Sequence, residues 1–306
     1  MSRIHEALKK AEQERAATQG GQPAYASAPV ASAPIETEIP SPMVAAAVSA
    51  GMPSFSSPFS LDTLLARCPQ MDWRPDLSTM LFMNDDDNAR GTEEFRTLRS
   101  RLYHMREKMT LKTLLVTSAL PKEGKSFTSS NLAQVIVRQH GRRVLLIDAD
   151  LRGPRLHLML GTTAGPGLSD YLQGRSDEFA IMQRGPMENM FFIPSGTGIE
   201  DPAELIGNGR LKVLLQRVEP LFDWVIIDSP PAIPVSDASV ISKACDGVLM
   251  VVRSNSTPAD VAKKARQEFP DQALVGVVLN GTSEEAAPYA RYYYEAYEKR
   301  ESSAKS

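Results

Sequence analysis

The chain has 306 residues, of which 42% are hydrophobic and 23% are charged, as in an ordinary globular protein. Its net charge of -3 at pH 7 gives no electrostatic reason to expect nucleic acid or an anionic membrane as the main partner. Two distant cysteines and four scattered histidines argue against a disulfide scaffold and against a metal site built from these residues. Because no apolar stretch suits a spanning helix or a signal peptide, we expect a cytoplasmic protein.

The N-terminal part of the chain is predicted to lie outside the main domain. Residues 1–17 have the period of an amphipathic helix, with a narrow apolar stripe that includes Ile4, Leu8 and Ala11. This stripe suits a solvated helix and a helix that docks on a partner equally well. Residues 18–58 are rich in Ala, Pro and Ser, which predicts a flexible, disordered linker. Residues 59–87 contain apolar side chains, but no period assigns them a structure.

Residues 88–284 alternate short apolar runs with amphipathic helical segments. The runs are Leu-rich or β-branched and do not alternate with polar residues, as in strands buried on both faces. This order of elements predicts an α/β fold with a mostly parallel sheet flanked by helices. The predicted strands are Thr113–Ser118, Val144–Asp148, Met190–Pro194, Trp224–Asp228, Val248–Val252 and Leu274–Leu279. The predicted helices are Ser126–Gln139, Leu211–Val218, Ser236–Ala244 and Ala259–Gln267.

A phosphate-binding loop follows the first strand. Residues 119–126 read Ala-Leu-Pro-Lys-Glu-Gly-Lys-Ser and match the P-loop pattern except that Ala119 replaces the first glycine. In such a loop Gly124 permits close backbone approach, Lys125 reaches the β- and γ-phosphates, and the Ser126 hydroxyl ligates Mg²⁺. The alternative is a chance turn, but the strand and the helix stand where the motif requires them. We therefore predict a P-loop NTPase sheet.

Acidic residues end two of the predicted strands. Asp148 and Asp150 follow the second strand, and Asp228 ends the strand that begins at Trp224. The carboxyl ends of parallel strands meet at one edge of a sheet, where carboxylates can hold magnesium or its water shell. Each acid alone could be a loop cap or a solvated side chain. Together with the phosphate loop they predict a magnesium-nucleotide site.

At these residues the sequence resembles the bacterial tyrosine kinases, which belong to the MinD/ParA group of P-loop ATPases. The segments that carry the resemblance are Asp148-Ala-Asp150-Leu-Arg152-Gly-Pro154 and Asp228-Ser-Pro230-Pro231, and the similarity spans residues 88 to 300. Leu120 stands where the MinD/ParA P-loop has an additional lysine, which counts against a MinD-like or ParA-like switch ATPase. Ala119 and Lys122 also differ, because relatives commonly have glycine there.

The resemblance implies a way of assembling. Glu93, Arg96 and Arg99 match the motif through which such kinases form ring-like homo-oligomers. A helix here would place these charged residues largely away from an apolar face that includes Phe95 and Leu102. A solvated charged face is the alternative interpretation.

The C-terminal residues 285–306 hold five of the eight tyrosines in the chain. Three of these tyrosines are adjacent, and side chains that point about 100° apart cannot all lie on one buried face of a helix. The cluster resembles the autophosphorylation tail of the family, with packing on the sheet or low complexity as alternatives. The predicted phosphoacceptors are Tyr289, Tyr292, Tyr293, Tyr294 and Tyr297.

The resemblance also implies cofactors, partners and roles. It implies ATP and Mg²⁺, a separate membrane polypeptide that activates the kinase and holds it at the inner membrane, and a role in capsular or exopolysaccharide synthesis or export. It leaves open whether Asp148 or Asp150 accepts the tyrosine proton. The implied catalytic residues are Lys125, Asp148 and Asp150; the nucleotide-binding residues are Glu123, Gly124, Lys125, Ser126, Phe127, Arg152 and Asn280; and the metal-binding residues are Ser126, Asp150 and Asp228.

The sequence thus predicts an ATP-dependent protein-tyrosine autokinase. The main alternative is a MinD/ParA-like switch ATPase without kinase activity, which would dimerise on ATP and phosphorylate nothing. A nucleotide-gated scaffold with vestigial activity is a third class, and the complete set of Lys125, Ser126, Asp148, Asp150 and Asp228 argues against it.

Overall fold

The computed structural model describes residues 60–83 and 91–282. They contain a seven-stranded sheet. Its strands are β1 (Thr113–Ser118), β2 (Val144–Asp148), β3 (Gln183–Arg184), β4 (Met190–Ile193), β5 (Trp224–Asp228), β6 (Gly247–Arg253) and β7 (Leu274–Asn280). In the sheet they follow the order β3-β4-β2-β5-β1-β6-β7, and every neighbouring pair is parallel except β3 with β4.

Among the residues described, two helices precede the first strand in the chain, and the others lie between strands. In the described part they are α1 (Leu61–Arg67), α2 (Thr92–Arg106), α3 (Lys125–Val137), α4 (Leu156–Leu160), α5 (Leu168–Leu172), α6 (Pro202–Gly207), α7 (Arg210–Val218), α8 (Asp237–Ser242) and α9 (Ala259–Arg266). Short 3-10 helices occur at Glu219–Leu221 and Asp271–Ala273. The sheet extends from β1 in both directions, the arrangement in which ligands bind beyond the carboxyl ends of the central strands.

Helices cover both faces of the inner strands. Successive strand residues point to opposite faces, so Leu115 and Ile227 pack in a cluster with apolar side chains of α5, α7, α8 and α9. Their neighbours Val116 and Ile226 pack in a second cluster with α2, α3 and α4. This double burial explains why the inner strands read as unbroken apolar runs. The predicted α/β fold, with a mostly parallel P-loop NTPase sheet flanked by helices, is confirmed.

Residues 60–83, for which the sequence assigns no structure, are part of the same folded domain. The indole of Trp73 packs edge-on against Phe192 of β4, with ring centroids 6.0 Å apart. The backbone N–H of Leu81 donates to Asn131 Oδ1 of α3 at 2.8 Å. The folded domain therefore includes residues that precede position 88, where the sequence alone placed its start.

The outer strands differ from the prediction. Val277 and Leu279 of β7 are 53% and 57% exposed, because this strand pairs only with β6 and lies at the edge of the described sheet. The prediction that this strand is buried on both faces is therefore wrong. The two-residue strand β3 was not predicted, because two residues are too short for a period. Other predicted boundaries lie within two residues of the observed ones.

Three predicted segments lie outside the described residues: the helix at 1–17, the linker at 18–58 and the tyrosine-rich tail at 285–306. Within residues 60–83 and 91–282, no helix combines the length and the apolar character that crossing a membrane requires.

Candidate active site

The loop between β1 and α3 has the shape of a phosphate-binding loop. Lys122 and Gly124 both have positive φ angles, +66° and +97°, which turn the backbone so that successive N–H groups can face a common anion. A Cβ on Gly124 would lie 2.0 Å from Asn280 Nδ2, so no larger residue fits without displacing that side chain. The loop leads directly into α3, whose first N–H groups have no side-chain cap and remain available for phosphate oxygens.

The Lys125 ammonium group is buried beside carboxylates. Its Nζ lies 2.8 Å from Asp150 Oδ2, and the two side chains are only 11% and 7% exposed. Burial lowers the pKa of Lys125, but attraction to Asp228, Asp150 and Asp148 outweighs it, so the pKa is raised. The side chain therefore carries a full positive charge at neutral pH, as contact with nucleotide phosphates requires.

The hydroxyl of Ser126 and the carboxylate of Asp228 are in contact. Ser126 Oγ donates to Asp228 Oδ2 at 2.6 Å, and Asp228 is completely buried at the end of β5. Ser129 Oγ lies 3.0 Å from the other carboxylate oxygen. Sequence reasoning missed Ser129, although its position three residues after Ser126 places both hydroxyls on one side of α3. Asp228 is thus held in place by two hydroxyls.

Asp148 and Asp150 lie in different surroundings although both follow β2. Asp148 is fully buried, and its two oxygens accept from the backbone N–H groups of Asp150, Arg155 and Leu156 at 3.1–3.3 Å. Burial and the negative charge of Asp228 raise the pKa of Asp148 well above its ordinary value. Asp150 instead pairs with Lys125 and accepts from the N–H of Gly153 at 3.0 Å. Asp148 therefore shapes the loop, whereas Asp150 faces the phosphate-loop lysine.

The charges of this site suit a divalent cation. A single ammonium group, that of Lys125, is attracted by three carboxylates, those of Asp148, Asp150 and Asp228. Burial raises the pKa of Asp228, and the negative charge of Asp150 adds to this effect. Within the described ranges, no group of three or more His, Cys, Asp or Glu side chains forms a metal site by itself. A magnesium ion bound with a nucleotide needs few protein ligands, because waters and phosphate oxygens complete its coordination. The residues present therefore fit Mg²⁺.

The remaining predicted nucleotide-binding residues surround the loop. Asn280 Nδ2 donates to the carbonyl of Glu123 at 2.8 Å. The ring of Phe127 packs on Phe95 of α2, with 5.8 Å between the ring centroids. The part of Phe127 that faces the nucleotide site is therefore its backbone, in the first turn of α3. Arg152 makes a two-point ion pair with the buried Asp237 of α8, at 2.8 and 3.1 Å. The side chain of Arg152 is thereby held near the rim of the site.

The three residues predicted for assembly all lie on α2, some distance along the chain from the phosphate loop. Arg96 donates to Glu93 on the outer side of the helix. The guanidinium of Arg99 donates to the carbonyl of Val135 in α3 at 2.8 Å. A shallow cavity of about 700 Å³ lies along the outer side of α2 and includes Glu93 and Arg96.

The fold and the site define a P-loop NTPase that binds a nucleotide. A family model described as an AAA domain matches residues 122–260. The chain is 34% identical to the tyrosine-protein kinase YwqD of Bacillus subtilis, over 62% of this chain and 81% of that protein. The solved kinase domain of the Escherichia coli tyrosine kinase ETK is 32% identical, with a TM-score of 0.63, over 67% of this chain and 81% of that domain.

The chain therefore belongs to the family of bacterial tyrosine-protein kinases. The septum site-determining protein MinD of Pyrococcus horikoshii, solved with Mg-ADP, is 21% identical over 60% of this chain and 76% of that one, with a TM-score of 0.50. This second likeness concerns the fold alone. The comparisons thus favour the kinase class over the switch ATPase.

Proposed function

We propose that the chain is an ATP-dependent tyrosine autokinase that transfers the γ-phosphoryl group of ATP to tyrosines in the tail of a neighbouring subunit. The observation that carries this proposal is the Lys125–Asp150 pair beside the Ser126–Asp228 contact, at the carboxyl ends of the central strands. The chain that holds these contacts belongs to the tyrosine-kinase family. The acceptor residues are Tyr289, Tyr292, Tyr293, Tyr294 and Tyr297, all of which lie outside the described residues.

Phosphoryl transfer depends mainly on positioning and on neutralising charge. The backbone N–H groups of Glu123 to Ser126 and the ammonium of Lys125 would hold the phosphates. Ser126 and Asp228 would hold Mg²⁺, directly or through water, and the ion supplies positive charge at the oxygens of the transferring group. Because Lys125 pairs with Asp150 in this structure, its movement towards the phosphates would release the Asp150 carboxylate.

We assign the role of proton acceptor to Asp150 rather than Asp148. Both oxygens of Asp148 already accept backbone N–H groups, whereas Asp150 Oδ2 faces the lysine at the site. A tyrosine hydroxyl has a pKa near 10, so the carboxylate takes its proton as the new bond to phosphorus forms. The close approach of the acceptor hydroxyl therefore matters more than a tuned pKa.

The adenine base would lie near the end of β7. The Asn280 amide nitrogen is committed to the Glu123 carbonyl, and its oxygen is the complementary acceptor for the amino group of adenine. Arg152, held by Asp237, would contact a phosphate or the acceptor peptide. These assignments place the base and the phosphates on the two sides of the phosphate loop.

Assembly and partners complete the proposal. The outer surface of α2, with Glu93 and Arg96, would contact a neighbouring subunit in a ring-like oligomer. Arg99 would hold this helix against α3 through its hydrogen bond to Val135. Each phosphotyrosine adds about -1.5 to -2 charges, so a phosphorylated tail would weaken the oligomer.

A separate membrane polypeptide would activate the cytoplasmic kinase and hold it at the inner membrane. The physiological role would be control of capsular or exopolysaccharide synthesis or export.

The test is phosphopeptide analysis of the full chain after incubation with Mg-ATP, alone and with cytoplasmic segments of candidate membrane partners. We expect phosphate on the tail tyrosines of the wild type and none on Lys125→Met or on a chain that ends at Glu285. The matched control is Lys212→Met, which removes an exposed lysine from α7 and should retain phosphorylation. ATP hydrolysis without phosphotyrosine under all these conditions would replace the proposal with the switch ATPase.

Deleting residues 1–17 tests the docking role of the helix predicted there. We expect loss of partner binding and unchanged nucleotide binding, because this segment lies more than 100 residues before the phosphate loop in the sequence. Retained partner binding would leave the solvated-helix interpretation.

A further inference from the structure

The side chain of Glu123 is buried, and its carboxylate accepts several hydrogen bonds. Glu123 is only 2% exposed, although the loop positions before it, Pro121 and Lys122, are exposed. Its Oε2 accepts the backbone N–H of Leu120 at 2.6 Å, across the turn of the loop itself. A buried carboxylate is costly unless it is satisfied by donors, so these contacts explain how the charge is tolerated.

The other carboxylate oxygen reaches a distant part of the chain. Glu123 Oε1 accepts the backbone N–H of Arg253 at 3.3 Å and the hydroxyl of Thr257. Arg253 ends β6, and Thr257 lies in the connection between β6 and α9. The guanidinium of Arg253 also donates to the carbonyl of Lys122 at 3.2 Å. The loop is therefore tied to the end of β6 through both its side chain and its backbone.

The same residue is held from a third direction. The backbone carbonyl of Glu123 accepts Asn280 Nδ2 at the end of β7. The next residue, Gly124, has a φ of +97° and lies so close to this amide that a Cβ would meet it. Lys125 and Ser126 follow directly. The conformation that presents the phosphate-binding N–H groups is thus held by several contacts at Glu123 and one at the carbonyl of Lys122.

We propose that Glu123 is a positioning residue, whose carboxylate holds the phosphate loop in its nucleotide-binding conformation by linking Leu120 to Arg253 and Thr257. This inference rests on the proposed nucleotide site but not on the identity of the phosphate acceptor. The link joins the loop to the end of β6, and Asn280 contacts the backbone carbonyl of Glu123 rather than its carboxylate, so the carboxylate acts on the phosphate side of the site. Loss of the carboxylate would weaken binding of phosphates without removing any group that contacts them.

The chemistry of the contacts makes Glu123→Gln an informative variant. All the groups that face the carboxylate are donors in this arrangement, and a carboxylate offers acceptor sites on both oxygens. A carboxamide offers only one oxygen, so its NH₂ group must face the N–H of Leu120 or that of Arg253. The variant keeps the size of the side chain but places one donor against another.

The experiment measures the dissociation constants of Mg-ADP and of adenosine by calorimetry, on the full chain. For Glu123→Gln we expect Mg-ADP to bind about tenfold more weakly or worse, as for loss of a charge-assisted hydrogen bond. Adenosine, which has no phosphate, should bind with an affinity within about twofold of the wild type. In the kinase assay the KM for ATP should rise more than kcat falls, because the variant acts on binding of the phosphates in the ground state.

Two further variants separate positioning from folding. Thr257→Val removes one donor from the contact and should weaken Mg-ADP binding by a smaller factor, and Thr257→Ser should restore it. Glu178→Gln alters another buried carboxylate, which pairs with Arg217 away from the phosphate loop. It should lower the melting temperature without changing Mg-ADP affinity. Equal Mg-ADP affinity in folded Glu123→Gln and wild type would overturn the proposal, as would a parallel loss of adenosine binding.

Discussion

Two loops flank the end of β5, and each contains a buried carboxylate that accepts backbone N–H groups. The loop after β2 is organised around Asp148, whose three donors all lie within eight residues of it in the chain. The phosphate loop after β1 is organised around Glu123, and two of its three donors lie 130 and 134 residues away. The first loop is therefore held locally, whereas the second is held by tertiary contacts.

This difference shows how the two loops respond to change elsewhere in the molecule. The donors to the Asp148 carboxylate all come from the loop that follows β2, although Arg152 of this loop also pairs with Asp237 of α8. The phosphate loop depends on the ends of β6 and β7, so movement there would reach the nucleotide phosphates. Lys125, which lies between the two loops, pairs with Asp150 of the loop after β2.

The largest expected effect concerns Asp150, the acid in the loop after β2 that pairs with Lys125. Asp150→Asn replaces the carboxylate with a group that cannot accept a proton at neutral pH. We expect the rate of tail phosphorylation to fall about 100-fold or more, the usual contribution of a general base, while Mg-ADP still binds. Initial rates from phosphopeptide mass spectrometry would measure this change.

The matched control for that measurement is Asp170→Asn. Asp170 likewise accepts a backbone N–H, from Gly167, and pairs with a cation, Arg175, but it lies in α5. It should keep a rate close to that of the wild type. If Asp150→Asn retains activity while Asp148→Asn loses it, the proton acceptor is Asp148.

An intermediate effect is expected when the carboxylate of Asp148 is removed. Asp148→Ala leaves the N–H groups of Asp150, Arg155 and Leu156 without their acceptor, at a cost of about 1–3 kcal/mol in the free energy of unfolding. The relief of repulsion from Asp228, which contributes to the raised pKa of Asp148, offsets part of this loss. Urea unfolding of the nucleotide-free chain measures the balance. Unchanged or increased stability would mean that repulsion outweighs the hydrogen bonds and that the first loop does not need its carboxylate.

The smallest expected effect concerns the backbone of the phosphate loop. Lys122 has a φ of +66°, a conformation that costs a residue with a Cβ about 1 kcal/mol and a β-branched residue more. Lys122→Val should therefore lower the free energy of unfolding by about 1 kcal/mol, and Lys122→Gly should not lower it. Thermal unfolding of both variants beside the wild type would test this. Equal stability of the Val and Gly variants would show that the loop adopts another backbone conformation in solution.

Much of the fold and of the candidate site is predictable because the signals are local. The inner strands read as apolar runs because both of their faces are buried. Gly124 precedes α3, and Lys125 and Ser126 are its first two residues, so their arrangement follows from the motif. Asp148 and Asp228 end neighbouring parallel strands, which brings them to one edge of the sheet. The position of these acids at the carboxyl ends of strands therefore predicted that they lie near the phosphate loop.

The contacts that the sequence did not predict join residues far apart in the chain. The link from Glu123 to Arg253 and Thr257 has no sequence period, and the contact of Arg99 with Val135 depends on how α2 crosses α3. Residues 60–83 lack a long period because only Leu61–Arg67 form a helix and most of the rest packs as irregular backbone, with Trp73 against Phe192. The exposure of Val277 and Leu279 depends on the position of β7 at the sheet edge, which an apolar run does not reveal.

The class of the protein follows from its amino-acid sequence, because periodicity and motif spacing, which are properties of neighbouring residues, predict a parallel α/β sheet, a phosphate loop and nearby acids. The partners of those groups became visible only in the folded chain. The tertiary structure directed Asp148 to backbone N–H groups and Asp150 to Lys125, and it joined Glu123 to the ends of β6 and β7. The physical reason is that burial and hydrogen-bond partners, which set the charge and position of a side chain, depend on residues that meet only when the chain has folded.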